Sequence, residues 1–297
     1  MRSPTLSFCN DIDFASWASY QEVHRCLREE YGLHLEDSFW LFDPLGSELA
    51  LFGADMTHKG PRHDELLEEI RGGRLSILHS AGNFDKNTGV IPSRSLIGDG
   101  LAYLHAHAKV PRIWSNHGDE GNIQNIGWGE RTYHQGDDPS SSVYILDLLL
   151  QYGCRFFWTD RLTTNRFSST APGKRRDPIL SWEPTRAGLE IMGFRRYRGD
   201  FPKAPDAVTF GKQLSPQHLE ELLADQGDAI IYQHWCVHRT PEGTPFTAGA
   251  PIFPNETRAS LANVARLRNQ NQIRVSDLYS LLCEHEQDLV PYSSTAA

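Results

Sequence analysis

The chain lacks any apolar run near the roughly 18 residues that a membrane-spanning helix requires, so no transmembrane helix is expected. Cysteine is sparse: Cys9, Cys26, Cys154, Cys236 and Cys283 are odd in number, widely scattered and without a CxxC pair. That pattern excludes a disulfide framework and reads as reduced thiols in or beside the core. Positive charge is in deficit, with 29 Lys and Arg against 38 Asp and Glu and a net charge of −9. Such a field repels a phosphate backbone and argues against a nucleic-acid partner. There is no internal repeat and no domain linker. Met1-Arg2-Ser3-Pro4 runs almost directly into an apolar strand candidate, leaving no room for a secretory signal, so a cytoplasmic protein is expected.

What is present is an ordinary globular composition. The 297 residues, 39% hydrophobic and 23% charged, suffice for a substantial core. Residues 6–9 read as a strand, and 14–31 as a helix whose apolar positions Trp17, Tyr20, Val23, Leu27 and Tyr31 recur at helical spacing. Runs at 39–42 and 49–52 flank the turn signal Asp43-Pro44-Leu45-Gly46 and predict a hairpin insertion near 39–53. There follow a helix at 64–71, a strand at 75–78, a helix at 93–109 capped by Ser93 and a strand at 112–114. Further helices are expected at 142–152, 215–224, 256–268 and 275–286, with strands at 155–158 and 229–232. Residues 163–177 read as a turn-rich loop carrying Lys174-Arg175-Arg176. Repeated strand-then-helix order predicts an α/β fold: one distorted or incomplete (β/α) barrel of about seven parallel strands, spanning residues 1–297.

In parallel α/β folds, ligands bind beyond the carboxyl ends of the strands. Here those ends are rich in Asp and His: Asp11, Asp13, His79, His117, Asp160 and His234 each follow an apolar run. Any one of them alone reads as a cap or a turn residue, and their joint placement is what points to a site. Such nitrogen and oxygen donors suit zinc or another first-row divalent ion. His105 and His107 lie two apart in a helical stretch, do not share a face and read as surface. His58 and His63 flank Gly60-Pro61 and read as an exposed turn. Asn83, Asn116, Asn122, Gln124 and Asn125 can donate to and accept from sugar hydroxyls. Trp114, Trp128 and Trp158 offer flat faces that serve a core as readily as a sugar.

Taken in order, Asn10-Asp11-Ile12-Asp13, His79-Ser80-Ala81-Gly82-Asn83 and Tyr232-Gln233-His234 resemble the landmarks of the polysaccharide deacetylase family. These are metal-dependent carbohydrate N- or O-deacetylases with an incomplete barrel. The resemblance implies a general base and a metal-ligating Asp after the first strand, a His-x-x-x-His motif, and a late His as general acid. Two registers of the first motif are open: Asp11 as base with Asp13 as ligand, or Asn10 and Asp11 in those places. The second removes the base, because an amide cannot take a proton from water. The first is preferred, since carboxylates two apart in extended chain share a side. Asn83 stands where the family has its second histidine, and His117 is the candidate replacement.

The implied protein is a hydrolase that removes an acyl group from a carbohydrate. It holds zinc through Asp13, His79 and His117, and uses Asp11 as base and His234 as acid. Asp160 either orients His234 or caps the next element, while Asn83, Asn116, Asn122 and Trp158 contact the sugar. Two other classes fit the same residues: a catalytically altered sugar-binding barrel, favoured by Asn10 and Asn83, and a metal-free glycoside hydrolase using Asp11 and Asp160.

Overall fold

A computed structural model describes residues 3–127, 133–160, 162–163, 178–199, 204–237, 245–247, 249 and 251–291. In chain order the first elements are β1 (Thr5–Asn10), α1 (Trp17–Tyr31), β2 (Asp37–Phe42), β3 (Ala50–Phe52), α2 (His63–Arg71) and β4 (Leu75–His79). Next come α3 (Arg94–His107), β5 (Ile113–Ser115), α4 (Leu146–Gln151), β6 (Phe156–Trp158), β7 (Leu162–Thr163), β8 (Leu180–Pro184) and β9 (Glu190–Phe194). The last are β10 (Arg196–Tyr197), α5 (Phe210–Gln213), α6 (Pro216–Asp225), β11 (Ala229–Gln233), α7 (Asn255–Asn269), β12 (Arg274–Val275), α8 (Leu278–His285) and β13 (Val290–Pro291). The basic run Lys174-Arg175-Arg176 and Trp128 lie outside the described residues. No helix is long and apolar enough to cross a membrane among the described residues.

The chain divides into two compact units, one of Met1–Glu36, Leu162–Ile179 and Arg195–His285, the other of Asp37–Arg161, Leu180–Phe194 and Glu286–Ala297. In the first unit the strands run in the order β12, β1, β11, β10, β7, all parallel. Every residue of β1 is buried, as expected of a strand covered on both faces. α7 packs against α1, α5 and α6, and α8 against β1. α1 forms because its apolar residues recur on one face, burying Trp17, Tyr20, Val23 and Leu27. Each fully buried side chain of this size contributes about 1.5–3 kcal/mol. Ser16 and Ser19 close a capping box at its start, and Gly32, at φ 64°, ends it in the left-handed conformation.

In the second unit the order is β13, β8, β9, β6, β5, β4, β2, β3. All pairs are parallel except the β8–β9 hairpin, which the sequence reading did not anticipate. Runs 39–42 and 49–52 also differ from expectation: β2 and β3 pair in parallel, Trp40 opposite Ala50 and Phe42 opposite Phe52. The sharp reversal comes later, where Gly60 N–H donates to Leu51 O at 2.7 Å and Gly53 N–H to His58 O at 2.8 Å. Both units are α/β with largely parallel strands, and neither strand order closes on itself among the described residues.

Four non-glycine residues just beyond strand ends have positive φ: Phe14 at 62°, Ser80 at 52°, Asp119 at 77° and Asp160 at 66°. Backbone of this kind costs free energy in L residues and concentrates at functional sites.

Candidate functional site

In the first unit, β1 and β11 pair in register from Leu6–Ala229 to Asn10–Gln233. That register brings the residues following the two strands, Asp11 and His234, to the same level. Asp11 N–H extends the ladder to Gln233 O at 2.9 Å, and the Asn10 side chain accepts from Trp235 N–H at 2.7 Å. Asn10 is therefore committed to the backbone, consistent with the register in which Asp11 and Asp13 are the chemical pair.

Asp11 is buried and held by Arg196 through two parallel hydrogen bonds, Nη1 to Oδ1 and Nη2 to Oδ2, each 2.8 Å. The guanidinium also lies 3.7 Å from the centre of the Tyr232 ring and 3.3 Å from Cys9 Sγ. Burial alone would lower Arg196, but the Asp11 charge outweighs it, so the guanidinium holds its proton more firmly than usual. Burial pushes the Cys9 thiol up to about 12, which keeps it protonated at neutral pH. Burial likewise drives the Tyr232 hydroxyl well above its ordinary value.

His234 Nδ1 donates to Pro205 O at 2.9 Å, which leaves Nε2 as the titrating nitrogen. Nε2 lies 3.3 Å from Asp13 Oδ2 and 3.4 Å from the Tyr232 hydroxyl. Burial pulls the imidazole down, but Asp13, with help from Asp11, more than compensates, and its proton affinity ends above the usual histidine value of 6.5. Ligand atoms of Asp11, Asp13 and His234 all lie within 4.8 Å of one another, a grouping that could hold a metal ion.

The second unit carries an imidazole pair. His79 ends β4 and His117 follows β5, with His79 Nε2 3.0 Å from His117 Nδ1. His117 Nε2 lies 3.1 Å from Asn83 Oδ1. Trp40 stacks on His79 at 5.9 Å and meets His117 edge-on at 5.4 Å.

The asparagines after β5 hydrogen-bond the backbone around them. Asn116, 1% exposed, bonds both backbone groups of Ile126, at 2.8 Å to its oxygen and 3.0 Å from its nitrogen. Asn125 reciprocates on His117, accepting from its N–H at 3.3 Å and donating to its oxygen at 2.6 Å. Asn122 accepts from Phe84 N–H at 2.9 Å, and Gln124 donates to Ser80 Oγ at 2.6 Å. The amides cluster here because this loop has no ladder to satisfy its backbone. Trp114 and Trp158 are both buried.

Asp160 accepts from Asn116 Nδ2 at 3.0 Å and lies 3.5 Å from His134 Nε2. His134 is thus its imidazole partner, whereas the carboxylate partner of His234 is Asp13. His63 is buried rather than exposed, hydrogen-bonded to the Tyr103 hydroxyl at 3.0 Å, while His58 is exposed. Asp11, Asp13 and His234 therefore come together in one unit, and His79, His117 and Asn83 in the other. The sequence reading missed Arg196 and His134. Arg196 sits in Phe194-Arg195-Arg196-Tyr197-Arg198, where residues 194–197 are all buried and no alternation marks the arginine that meets Asp11. Comparison with protein-family models, with curated proteins and with solved structures returns no match.

Proposed function

We propose that the chain is a metal-dependent hydrolase that removes an acyl group, acetyl in the simplest case, from a carbohydrate, with an incomplete barrel as its architecture. The observation that carries the reading is the Asp13–His234 contact, a buried imidazole made to keep its proton, with the Asp11 carboxylate beside it. Acyl transfer to water needs both, a base for the attacking water and an acid for the leaving group. In this reading Asp11 takes the proton of the attacking water. His234 gives its Nε2 proton to the departing amine or alcohol, and Asp13 holds that imidazolium in place until then.

The resemblance implies a metal-ligating aspartate after β1 and a ligand at His79, with His117 as the candidate replacement for the family's second histidine. Two imidazole nitrogens 3.0 Å apart fit the donor chemistry that zinc prefers. A divalent ion, when bound, supplies Lewis acidity toward the acyl carbonyl.

The test pairs elemental analysis with acetate release from acetylated oligosaccharides. One divalent ion per chain is expected in the wild type, lost separately in Asp13→Ala, His79→Ala and His117→Ala. His234→Ala should keep the ion and lose about 10²–10⁴-fold in rate, the usual worth of a positioned general acid. No ion and no acetate release from any acetylated sugar would refute the reading. A sugar-binding protein without turnover is favoured by one observation, that both Asp11 oxygens are taken by Arg196. Sugar affinity with no acetate release in the metal-loaded protein would select it.

A further inference from the structure

Asn83 stands where a second histidine was expected, and the geometry gives it a different task. Asp43, buried just past β2, accepts from Leu45 N–H at 2.9 Å and Ser47 N–H at 3.2 Å. Its Oδ1 also faces Asn83 Nδ2 at 3.5 Å. A carboxylate that already accepts from backbone amides presents lone pairs, so it fixes which end of the Asn83 amide faces it. The amide oxygen is left for His117 Nε2 at 3.1 Å. An amide oxygen can only accept, so His117 must carry its hydrogen on Nε2. In the neutral ring, Nδ1 then presents a lone pair toward His79 Nε2 at 3.0 Å. The chain of donors runs from His79 through His117 and Asn83 to Asp43, each link setting the next.

The backbone keeps Asn83 in place. Asn83 N–H donates to Phe42 O at 2.9 Å, and Phe42 N–H to Ala81 O at 3.2 Å, which locks the loop after β4 onto the end of β2. Gly82 permits that approach, since a Cβ there would lie 2.3 Å from Phe42 O. From the other side, Asn125 holds both backbone groups of His117.

We infer that Asn83, anchored by Asp43, is a positioning residue that fixes the His117 tautomer, so that Nδ1 of His117 presents a lone pair and forms, with Nε2 of His79 once its hydrogen moves to Nδ1, a two-nitrogen seat for a divalent cation. Two metal–nitrogen bonds of about 2.0–2.1 Å span up to about 4 Å, so donors at this separation need little movement. Partners of this kind, which orient a ligating imidazole through its other nitrogen, are commonly worth 10–100-fold in metal affinity. The inference rests on the metal-dependent reading above, but the tautomer is measurable in metal-free protein.

The experiment is ¹⁵N NMR of the imidazoles in the full chain without metal, followed by titration with zinc alone. Metal-free wild type should show His117 as the Nε2–H tautomer. His79 should shift from Nε2–H to Nδ1–H as zinc arrives. Asn83→Leu should mix the His117 tautomers and weaken zinc about 10–100-fold, while Asn83→Asp, which restores an acceptor, should recover the Nε2–H form. If Asn83→Leu fails to fold, Asn83→Asp and the wild-type tautomer still decide the matter. A wild-type His117 protonated on Nδ1, or Asn83→Leu with unchanged tautomer and zinc affinity, overturns the positioning role. Nε2–H His117 with no zinc bound at all overturns the cation seat and the metal-dependent reading together, and leaves the tautomer relay standing.

Discussion

Separating Asp11 from Arg196 is the most direct perturbation of the first unit. Their side chains are 2% and 0% exposed, so neither water nor salt can replace the missing partner. Arg196→Met leaves the Asp11 carboxylate buried and uncompensated, and Asp11→Asn does the same to the guanidinium. Breaking a buried pair from one side costs about 3–5 kcal/mol. The double variant strands no charge, so its cost should fall short of the sum of the singles by about 2–3 kcal/mol. Arg196 also faces the Tyr232 ring and Cys9, but those losses are common to the single and the double and cancel in the cycle. Two compact units need not unfold together, so urea unfolding should be read through hydrogen exchange of amides in β1 and β11, which lie in the unit concerned. A coupling energy below about 0.5 kcal/mol, the level expected of independent sites, would refute the buried bidentate pair. Arg196→Lys is a useful control, because it keeps the charge but loses the two-pronged geometry.

Titration of His234 gives a second test. Its raised proton affinity means that the stabilisation from the Asp13 contact is complete below the ordinary histidine value of 6.5 and disappears as pH rises through the elevated one. The alkaline limb of acyl hydrolysis should follow the same elevated midpoint. In metal-free Asp13→Asn the NMR midpoint of His234 should move down, and an unchanged midpoint would rule out Asp13 as the cause. Gly82→Ala probes the second unit: the clash with Phe42 O forces the loop off β2 at a cost on the order of 2 kcal/mol. Thermal unfolding should show the loss, and amide shifts should concentrate at Asn83 and His117. Wild-type stability with unshifted Asn83 would contradict the close approach.

The core elements were legible because their signals are local. β1, β4, β6 and β11 are short apolar runs, α1 repeats on one face, and Ser93 caps α3 by accepting from Leu96 N–H at 3.2 Å. Strand-then-helix order made the parallel pairing legible, but the direction of β2–β3 and the β8–β9 hairpin were not. Nothing in Asp43-Pro44-Leu45-Gly46 distinguishes a hairpin from the parallel β2–β3 pair, whose register depends on contacts elsewhere in the sheet. The same division holds at the site. Asp11, Asp13 and His234 follow strands, so position alone exposed them. Arg196 meets Asp11 across 185 residues of chain, which no local pattern records. That Asn116 and Asn125 bond the backbone of their own loop was not legible either, because an amide that bonds substrate and one that staples a loop look identical in sequence.

Phe14 and Ser80 carry side chains where the backbone favours glycine, at φ 62° and 52°. Left-handed backbone costs roughly 1–2 kcal/mol per ordinary residue. Phe14 directly follows Asp13, and Ser80 directly follows His79. A lineage selected for heat resistance would therefore find its easiest gains at 14 and 80, next to the Asp13 and His79 side chains of the proposed site.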